Sequence, residues 1–394
     1  MTRPLLLHCF DGLGVGGAER SLVLLLRQLR GGTLEHAVCH LGPRRALVPE
    51  IEALGVPVHD LSSSRRRPLQ SIVRLMRLIG RSRPALIHAD HDYAKLCARV
   101  AARLSGTPLL VTVGNTVPPA PPTARTAAAR RVRLFARAAR VIGGGGAILA
   151  ISQAVKDSLV ARGVSPDRIV VVPRGLDLDD FRPDPPEKLG ALRRSLGIDE
   201  GTPLLAHVGR LTTQKQQDVI IRALSIMTPA HPRVHLLLAG EGPERRAYQA
   251  LAAAEGVADR VRFLGLRRDV TSLLQLAHLF VFPSIREGTG VALLEAMALS
   301  RACVASHIPA LEEVLQSSGV GVLVPPRRPD LLAEAVSALL ADPARRVEMG
   351  RRARLVVEQR YDIRRSAAQF EEVAHRVIGA ARRGDVRPVG AEVR

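Results

Sequence analysis

The feature that most restricts the fold is an alternation that runs along the whole chain and starts over once. Short apolar runs at Leu5–Cys9, Ala37–Leu41, Leu86–His88, Leu109–Val113, Ala147–Ile151 and Ile169–Val172 are separated by amphipathic segments such as Glu19–Leu29, Leu69–Ile79, Tyr93–Leu104 and Arg125–Val141. Runs this short fit strands buried on both faces, and the segments between them carry apolar residues at helical spacing. Strand alternating with helix implies a parallel sheet covered by helices. The pattern restarts with strands at Leu204–Val208, Val234–Ala239, Val261–Leu264, Leu279–Phe282, Cys303–Ala305 and Val322–Val324, and helices at Val219–Met227, Arg245–Glu255 and Val291–Leu299. The expectation is therefore an α/β protein of two Rossmann-like, doubly wound parallel-sheet domains. Between the two series Pro173, Pro183, Pro185 and Pro186 stand among Asp177, Asp179, Asp180 and Asp184, which reads as a connector. A chain of 394 residues accommodates two such domains.

Charge narrows the partners. The net charge is +20, and residues 1–172 hold 25 Lys+Arg against 10 Asp+Glu, so +15 of it falls in the first half and +5 in the rest. A basic face of this kind suits an anionic membrane surface, a nucleic acid or a phosphorylated acceptor. Nucleic acid is the least suited, because three Tyr, seven Phe and no Trp offer little stacking surface and no binding module is present. The basic residues cluster at Arg65, Arg66, Arg67, Arg74, Arg77, Arg81 and Arg83, and again at Arg125, Arg130, Arg131, Arg133, Arg137 and Arg140. In the second cluster Val132, Phe135 and Ala139 add an apolar stripe, and a basic helix with such a stripe can lie on an anionic bilayer. Cys9, Cys39, Cys97 and Cys303 form no CxxC pair and no metal-spaced cluster with histidine, so core thiols, a reducing compartment and no metal are expected. No run of about 18 apolar residues is present, and the short run ending at Cys9–Phe10 does not make a signal peptide. The expected location is cytoplasmic, at the inner face of the plasma membrane if the basic half binds lipid.

Three segments carry chemistry. The first strand ends in Asp11-Gly12-Leu13-Gly14-Val15-Gly16-Gly17-Ala18-Glu19-Arg20, where glycines let backbone N–H groups approach a phosphate at a helix start. This spacing is not the GxGxxG fingerprint. The second segment is Gly209-Arg210-Leu211 with Lys215, which places two cations past a strand end, a set suited to a pyrophosphate. The third runs from Phe282 through Glu287, Gly288, Thr289 and Gly290 into a helix carrying Glu295. Its helix start suits phosphate oxygens, and its two carboxylates suit sugar hydroxyls.

Taken with Val172-Pro173-Arg174-Gly175-Leu176-Asp177, Gly240-Glu241-Gly242-Pro243, Ala150-Ile151-Ser152 with Val155-Lys156, and Phe263-Leu264-Gly265, these segments resemble the retaining family-4 glycosyltransferases of the GT-B fold. The likeness extends from about residue 5 to about residue 378, in the family's motif order. It implies two Rossmann-like domains facing a cleft: an acceptor-side domain at 1–172, a donor domain at 173–362, a helix at 363–379 that crosses back to the first, and a tail at 380–394 expected to fray. It also implies a nucleotide-sugar donor, a lipid-linked or saccharide acceptor, and no metal or other cofactor. By the same resemblance Gly16 and Gly17 would lie against the donor diphosphate, Arg210 and Lys215 would neutralise it, Gly288, Thr289 and Gly290 would bind phosphate, Glu287 would contact the sugar, and Glu295 the ribose. Two positions depart from the pattern: Arg174 stands where the family has Asn, and Gly114 where it has a His that assists at the donor sugar. His88 or His91, at a neighbouring strand end, is expected to compensate. A catalytically silent homologue that binds nucleotide sugar is the alternative, and an epimerase of the same architecture is disfavoured by the Glu287/Glu295 arrangement.

Overall fold

The structure is a computed structural model and describes residues 3–63, 68–117, 146–315 and 319–383. The helix expected at 125–141, the arginines at 65–67, the proline loop beyond Val117, most of the 143–146 glycine run and the tail beyond 383 lie outside the described residues. The chain divides into two compact units, Met1–Gly175 with Ile363–Arg394, and Leu176–Asp362.

The first unit is a parallel sheet of β1 (Leu5–Phe10), β2 (Glu35–His40), β3 (Val58–Asp60), β4 (Leu86–Ala89), β5 (Leu109–Val113), β6 (Ala147–Ala150) and β7 (Ile169–Val171), in the order β3-β2-β1-β4-β5-β6-β7. Side chains alternate across it as strand geometry requires. Leu7 and Cys9 of β1 join the core covered by α3 (Pro68–Ser82) and α4 (Asp92–Ser105), through Leu75, Ile79, Cys97 and Ala101. On the opposite face Leu6 packs with Phe370, Ala374 and Val377 of the C-terminal helix α14 (Ile363–Arg382), and Phe10 with Leu22, Val23 and Leu26 of α1 (Gly17–Gln28). The helix α14 continues beyond residue 379 because Ile378 and Ala380 are still buried. The strand β3 was not expected: three residues at a sheet edge, none of them fully buried, leave no apolar run to see. The remaining helices of this unit are α2 (Val48–Ala53) and α5 (Gln153–Val160), the latter capped by Ser152, whose Oγ accepts from the Val155 N–H at 3.2 Å.

The second unit is a parallel sheet of β8 (Leu204–Val208), β9 (His235–Ala239), β10 (Val261–Gly265), β11 (Leu279–Phe282), β12 (Ala302–Ser306) and β13 (Val322–Val324), in the order β10-β9-β8-β11-β12-β13. Its described helices are α6 (Pro186–Ser195), α7 (Gln217–Met227), α8 (Arg245–Ala254), α9 (Val270–Leu276), α10 (Val291–Ala298), α11 (Pro309–Leu315), α12 (Pro329–Ala341) and α13 (Pro343–Arg360). Phe280 and Phe282 face one core with Leu293, Leu294 and Met297 of α10, while Leu279 and Val281 face the other with Ile220, Ile221 and Leu224 of α7. In both sheets the order steps outward from the first strand and then reverses to the other side. The reversal leaves a crevice at the carboxyl ends of β1 and β4, and another at those of β8 and β11, where sheets of this type hold ligands.

Candidate functional site

In the second unit, β8 ends at Val208 and the chain turns through Gly209 and Arg210. The Gly209 N–H donates to the Ala239 carbonyl at 3.0 Å, and the Leu211 N–H to the Glu241 carbonyl at 3.1 Å. The turn is therefore laid backbone to backbone on the Gly240-Glu241-Gly242-Pro243 loop. Gly240 has φ +140°, and a Cβ there would overlap the Gly209 carbonyl oxygen; a Cβ on Gly242 would overlap that of Leu211. Here glycine is required by close approach as well as by φ. From below, Gln217 Nε2 donates to the Arg210 carbonyl at 3.1 Å and lies 3.1 Å from His207 Nε2. His207 is fully buried; burial lowers its pKa to about 4, against a raising hydrogen bond to the Val281 carbonyl. It is thus a neutral support of the turn. Arg210 itself is exposed.

Lys215 and Glu287 are brought together. Lys215 Nζ lies 2.6 Å from Glu287 Oε1 and 4.8 Å from the Phe282 ring centroid. The side chains are 19% and 9% exposed, so solvent screens this pair little. The two loops that carry them are stitched together: the Ile285 N–H donates to the Gln214 carbonyl at 3.0 Å, Gln214 Nε2 to the Arg286 carbonyl at 2.7 Å, and Arg286 Nη2 to Gln214 Oε1 at 3.0 Å. Beyond Glu287, the buried residues Gly288, Thr289 and Gly290 lead into α10. Gly290 has φ +81°, and a Cβ on it would stand 3.0 Å from both Phe282 and Leu311, so the helix starts hard against the sheet. Glu295 is half-buried within α10. The result is two cations, two carboxylates and a helix N-terminus at one switch point.

In the first unit, the glycine turn after β1 wraps Arg44. The Leu13 N–H donates to the Arg44 carbonyl at 2.8 Å, and a Cβ on Gly16 would overlap the Glu19 carboxylate. Gly17 opens α1. Across the crevice, His91 caps α4 at φ +66°, with Nε2 3.9 Å from Glu19 Oε2 and its ring edge-on to Phe10 at 5.4 Å. His91 Nδ1 is buried with no hydrogen-bond partner. His88 differs: Nδ1 lies 2.9 Å from His8 Nδ1 and Nε2 2.8 Å from Thr112 Oγ1, so both nitrogens are engaged. Burial lowers its pKa to about 4, which keeps it neutral.

Sequence reasoning missed one group in this unit as a site element. Arg174 Nη2 donates to Asp90 Oδ2 at 2.7 Å, and Lys95 Nζ lies 3.9 Å from Asp90 Oδ1. All three side chains are buried to 14% exposure or less. Burial pushes the Asp90 carboxyl up, but Arg174 and then Lys95 outweigh it and hold it at about 2. Asp90 Oδ1 also accepts the His91 N–H at 2.6 Å. The signal was available, since Arg174 was one of the two departures from the family pattern. Asp90 and Lys95 carry no motif of their own. Cys9, Cys39, Cys97 and Cys303 are free and buried. Among the described residues no group of three or more His, Cys, Asp or Glu could hold a metal ion, and no helix is long and apolar enough to cross a membrane.

Residues 190–356 match the family model Glycosyl transferases group 1, and residues 15–180 match Glycosyltransferase Family 4. Alpha-D-kanosaminyltransferase of Streptomyces kanamyceticus is 27% identical over 79% of this chain and 81% of its own length. Alpha-maltose-1-phosphate synthase of Mycolicibacterium smegmatis is 30% identical over 67% of this chain and 72% of its own. Among solved structures, Anabaena HepE in complex with UDP-glucose aligns with a TM-score of 0.83 over 95% of this chain and 100% of its own, at 21% identity, a likeness of fold.

Proposed function

Because the chain belongs to the family-4 glycosyltransferases of the GT-B fold, we propose that it moves a sugar from a nucleotide-diphosphate sugar to an acceptor hydroxyl with retention of anomeric configuration. The observation that carries this reading is the pairing of Lys215 with Glu287 beside the start of α10. An ammonium has three donors, and Glu287 takes one, which leaves two for phosphate oxygens. Glu287 keeps Oε2 for a sugar hydroxyl. Arg210, exposed on its anchored turn, supplies the second cation, and the helix N-terminus supplies a partial one. In the transfer, the bond from the anomeric carbon to phosphate oxygen breaks and its electron pair leaves on the diphosphate. The acceptor oxygen bonds the same carbon, and its proton passes to the departing phosphate. Positive charge aimed at the departing group stabilises the transition state more than the ground state. These protein groups carry that role without a metal. Gly288, Thr289 and Gly290 would approach the phosphate oxygens, and Glu295 the ribose.

The acceptor we propose is a lipid-linked or saccharide precursor met at an anionic membrane surface. On α3 the exposed stripe reads Leu69, Val73, Arg77 and Arg81, and on the adjacent α4 it reads Leu96, Val100, Arg103 and Leu104. Apolar side chains flanked by arginines on two neighbouring helices suit a lipid interface.

The donor is tested by thermal unfolding with UDP, GDP, ADP and CMP. A ligand at 100 times its Kd stabilises by about 2.7 kcal/mol. A rise with one nucleotide diphosphate, lost in Arg210→Ala and Lys215→Ala, is expected. No rise with any of them would refute the reading.

A further inference from the structure

The turn that presents Arg210 rests on a hydrogen-bond relay in which each proton is fixed by its partners. His207 Nδ1 lies 2.9 Å from the Val281 carbonyl, which can only accept, so Nδ1 carries the proton of the neutral ring. Nε2 is then a bare lone pair and accepts from Gln217 Nε2 at 3.1 Å. The second hydrogen of the same amide goes to the Arg210 carbonyl at 3.1 Å. One amide nitrogen thus meets two acceptors with its two hydrogens, and a flipped amide would set an oxygen against both. His207 and Gln217 are each 0% exposed, so the relay is closed to bulk solvent.

Three features hold the relay in place. A Cβ on Gly209 would stand 3.2 Å from His207 Nε2, so this glycine lets the imidazole come up against the turn. Gln216 has φ +54° and ψ +46°, a left-handed conformation that a residue with a Cβ rarely adopts, and it delivers Gln217 to the first position of α7. The His207 ring stacks on that of Phe282 at 5.7 Å between centroids, and the same Phe282 ring lies 4.8 Å from Lys215 Nζ. The Arg210 side chain, by contrast, is exposed, and no carboxylate among the described residues pairs with it. Its backbone is held while its guanidinium is left open.

We propose that His207 and Gln217 are positioning residues that set the Arg210 turn for an anionic ligand of the second unit, a nucleoside diphosphate, an inference that rests on the glycosyltransferase reading and deepens it. All of its parts lie within Leu176–Asp362. With no exposed surface, neither residue touches the ligand; both act through the backbone of Arg210. A guanidinium on a fixed backbone loses less freedom when it closes on phosphate oxygens than one on a loose turn. Breaking the relay therefore weakens nucleotide binding without removing any group that contacts the nucleotide.

The test is a double-mutant cycle of Gln217→Glu and Arg210→Ala, with His207→Phe as a second variant that keeps an aromatic ring against Phe282. Each protein is read for its unfolding temperature without ligand and for its Kd for UDP, GDP and ADP between pH 5 and pH 8. Glutamate has nearly the shape of glutamine, but when ionised it donates to neither acceptor. Gln217→Glu is expected to raise Kd about 10-fold at pH 7.5, the effect of a buried acceptor left without its donor, and His207→Phe to raise it by less. Each proton taken up by the new carboxylate or by His207 restores one donor, so the deficit of Gln217→Glu should shrink towards pH 5. Lys215, whose charge acts on His207, is common to every variant. On the Arg210→Ala background Gln217→Glu should change Kd no further, because the relay acts through that arginine. A natural Kd in Gln217→Glu, or an equal loss on both backgrounds, would overturn the inference. Should Gln217→Glu fail to fold, a natural Kd in His207→Phe would overturn it instead. No nucleotide binding by the natural chain would overturn the glycosyltransferase reading, and this inference with it.

Discussion

Lowering the pH from 7.5 to 5.0 should destabilise the first unit through histidines held neutral in its interior, and His88→Gln should remove a defined share of the loss. His8, His36 and His88 form a chain beneath the C-terminal helix, with His8 Nδ1 2.9 Å from His88 and His8 Nε2 3.1 Å from His36. Phe370 of α14 covers it, its ring 5.2 Å from that of His88. Burial is the largest influence on His88 and lowers its pKa from 6.5 to about 4; Asp90 opposes this, and Arg174 and Lys95 reinforce it. The sign follows from linkage: the fold favours the neutral ring, so its contribution is complete above pH 6.5 and is lost as pH falls through about 4. At pH 5 an unfolded histidine is almost fully protonated while His88 in the fold is not, a difference of about 2 kcal/mol. For a unit of this size that is a fall of roughly 6 °C in Tm. Glutamine keeps polar atoms for His8 and Thr112 without the ionisation, so the variant should lose about 2 kcal/mol less than the natural chain over the same interval. Urea unfolding followed by far-UV circular dichroism is the assay, because a chain with no Trp lacks the usual fluorescence probe. Equal acid sensitivity in the variant and the natural chain would refute the reasoning.

Two further outcomes follow from the geometry. Gly240→Ala places a Cβ against the Gly209 carbonyl at φ +140°. It should cost about 1–3 kcal/mol in strain and abolish the nucleotide-induced thermal shift by displacing Arg210; an unchanged shift would show that this loop does not position the arginine. The protein should float with anionic liposomes at low salt and be released at high salt. Absence of flotation at low salt would remove the membrane proposal.

Much of this architecture is legible in the residues. Each of the twelve apolar runs coincides with a strand to within a residue or two at its ends, and the restart of the pattern after residue 173 marks a second sheet. A strand buried on both faces writes its position into composition, because nearly all of its residues are apolar, with buried exceptions such as His8 and His207. The strand β3 escaped because, at the edge, pairing holds it rather than burial. The glycine motifs were legible as motifs, but only Gly240 and Gly242 against the Gly209-Arg210-Leu211 backbone disclose what they do. The histidines at 88 and 91 looked alike, three residues apart in one short segment. The structure separates them: one ring is buried with both nitrogens occupied, and the other stands half-buried at a helix start with one nitrogen unmatched.

Periodicity, the proline-rich join and motif order were thus determined by the sequence alone, since each depends on near neighbours along the chain. Which side chains meet was decided only by the tertiary structure. Lys215 finds Glu287 across 72 positions, His8 finds His88 across 80, and Arg174 fills the space at Gly114. Parallel strands set distant carboxyl ends side by side, and burial there turns the reach and charge of a neighbour into the property of a site.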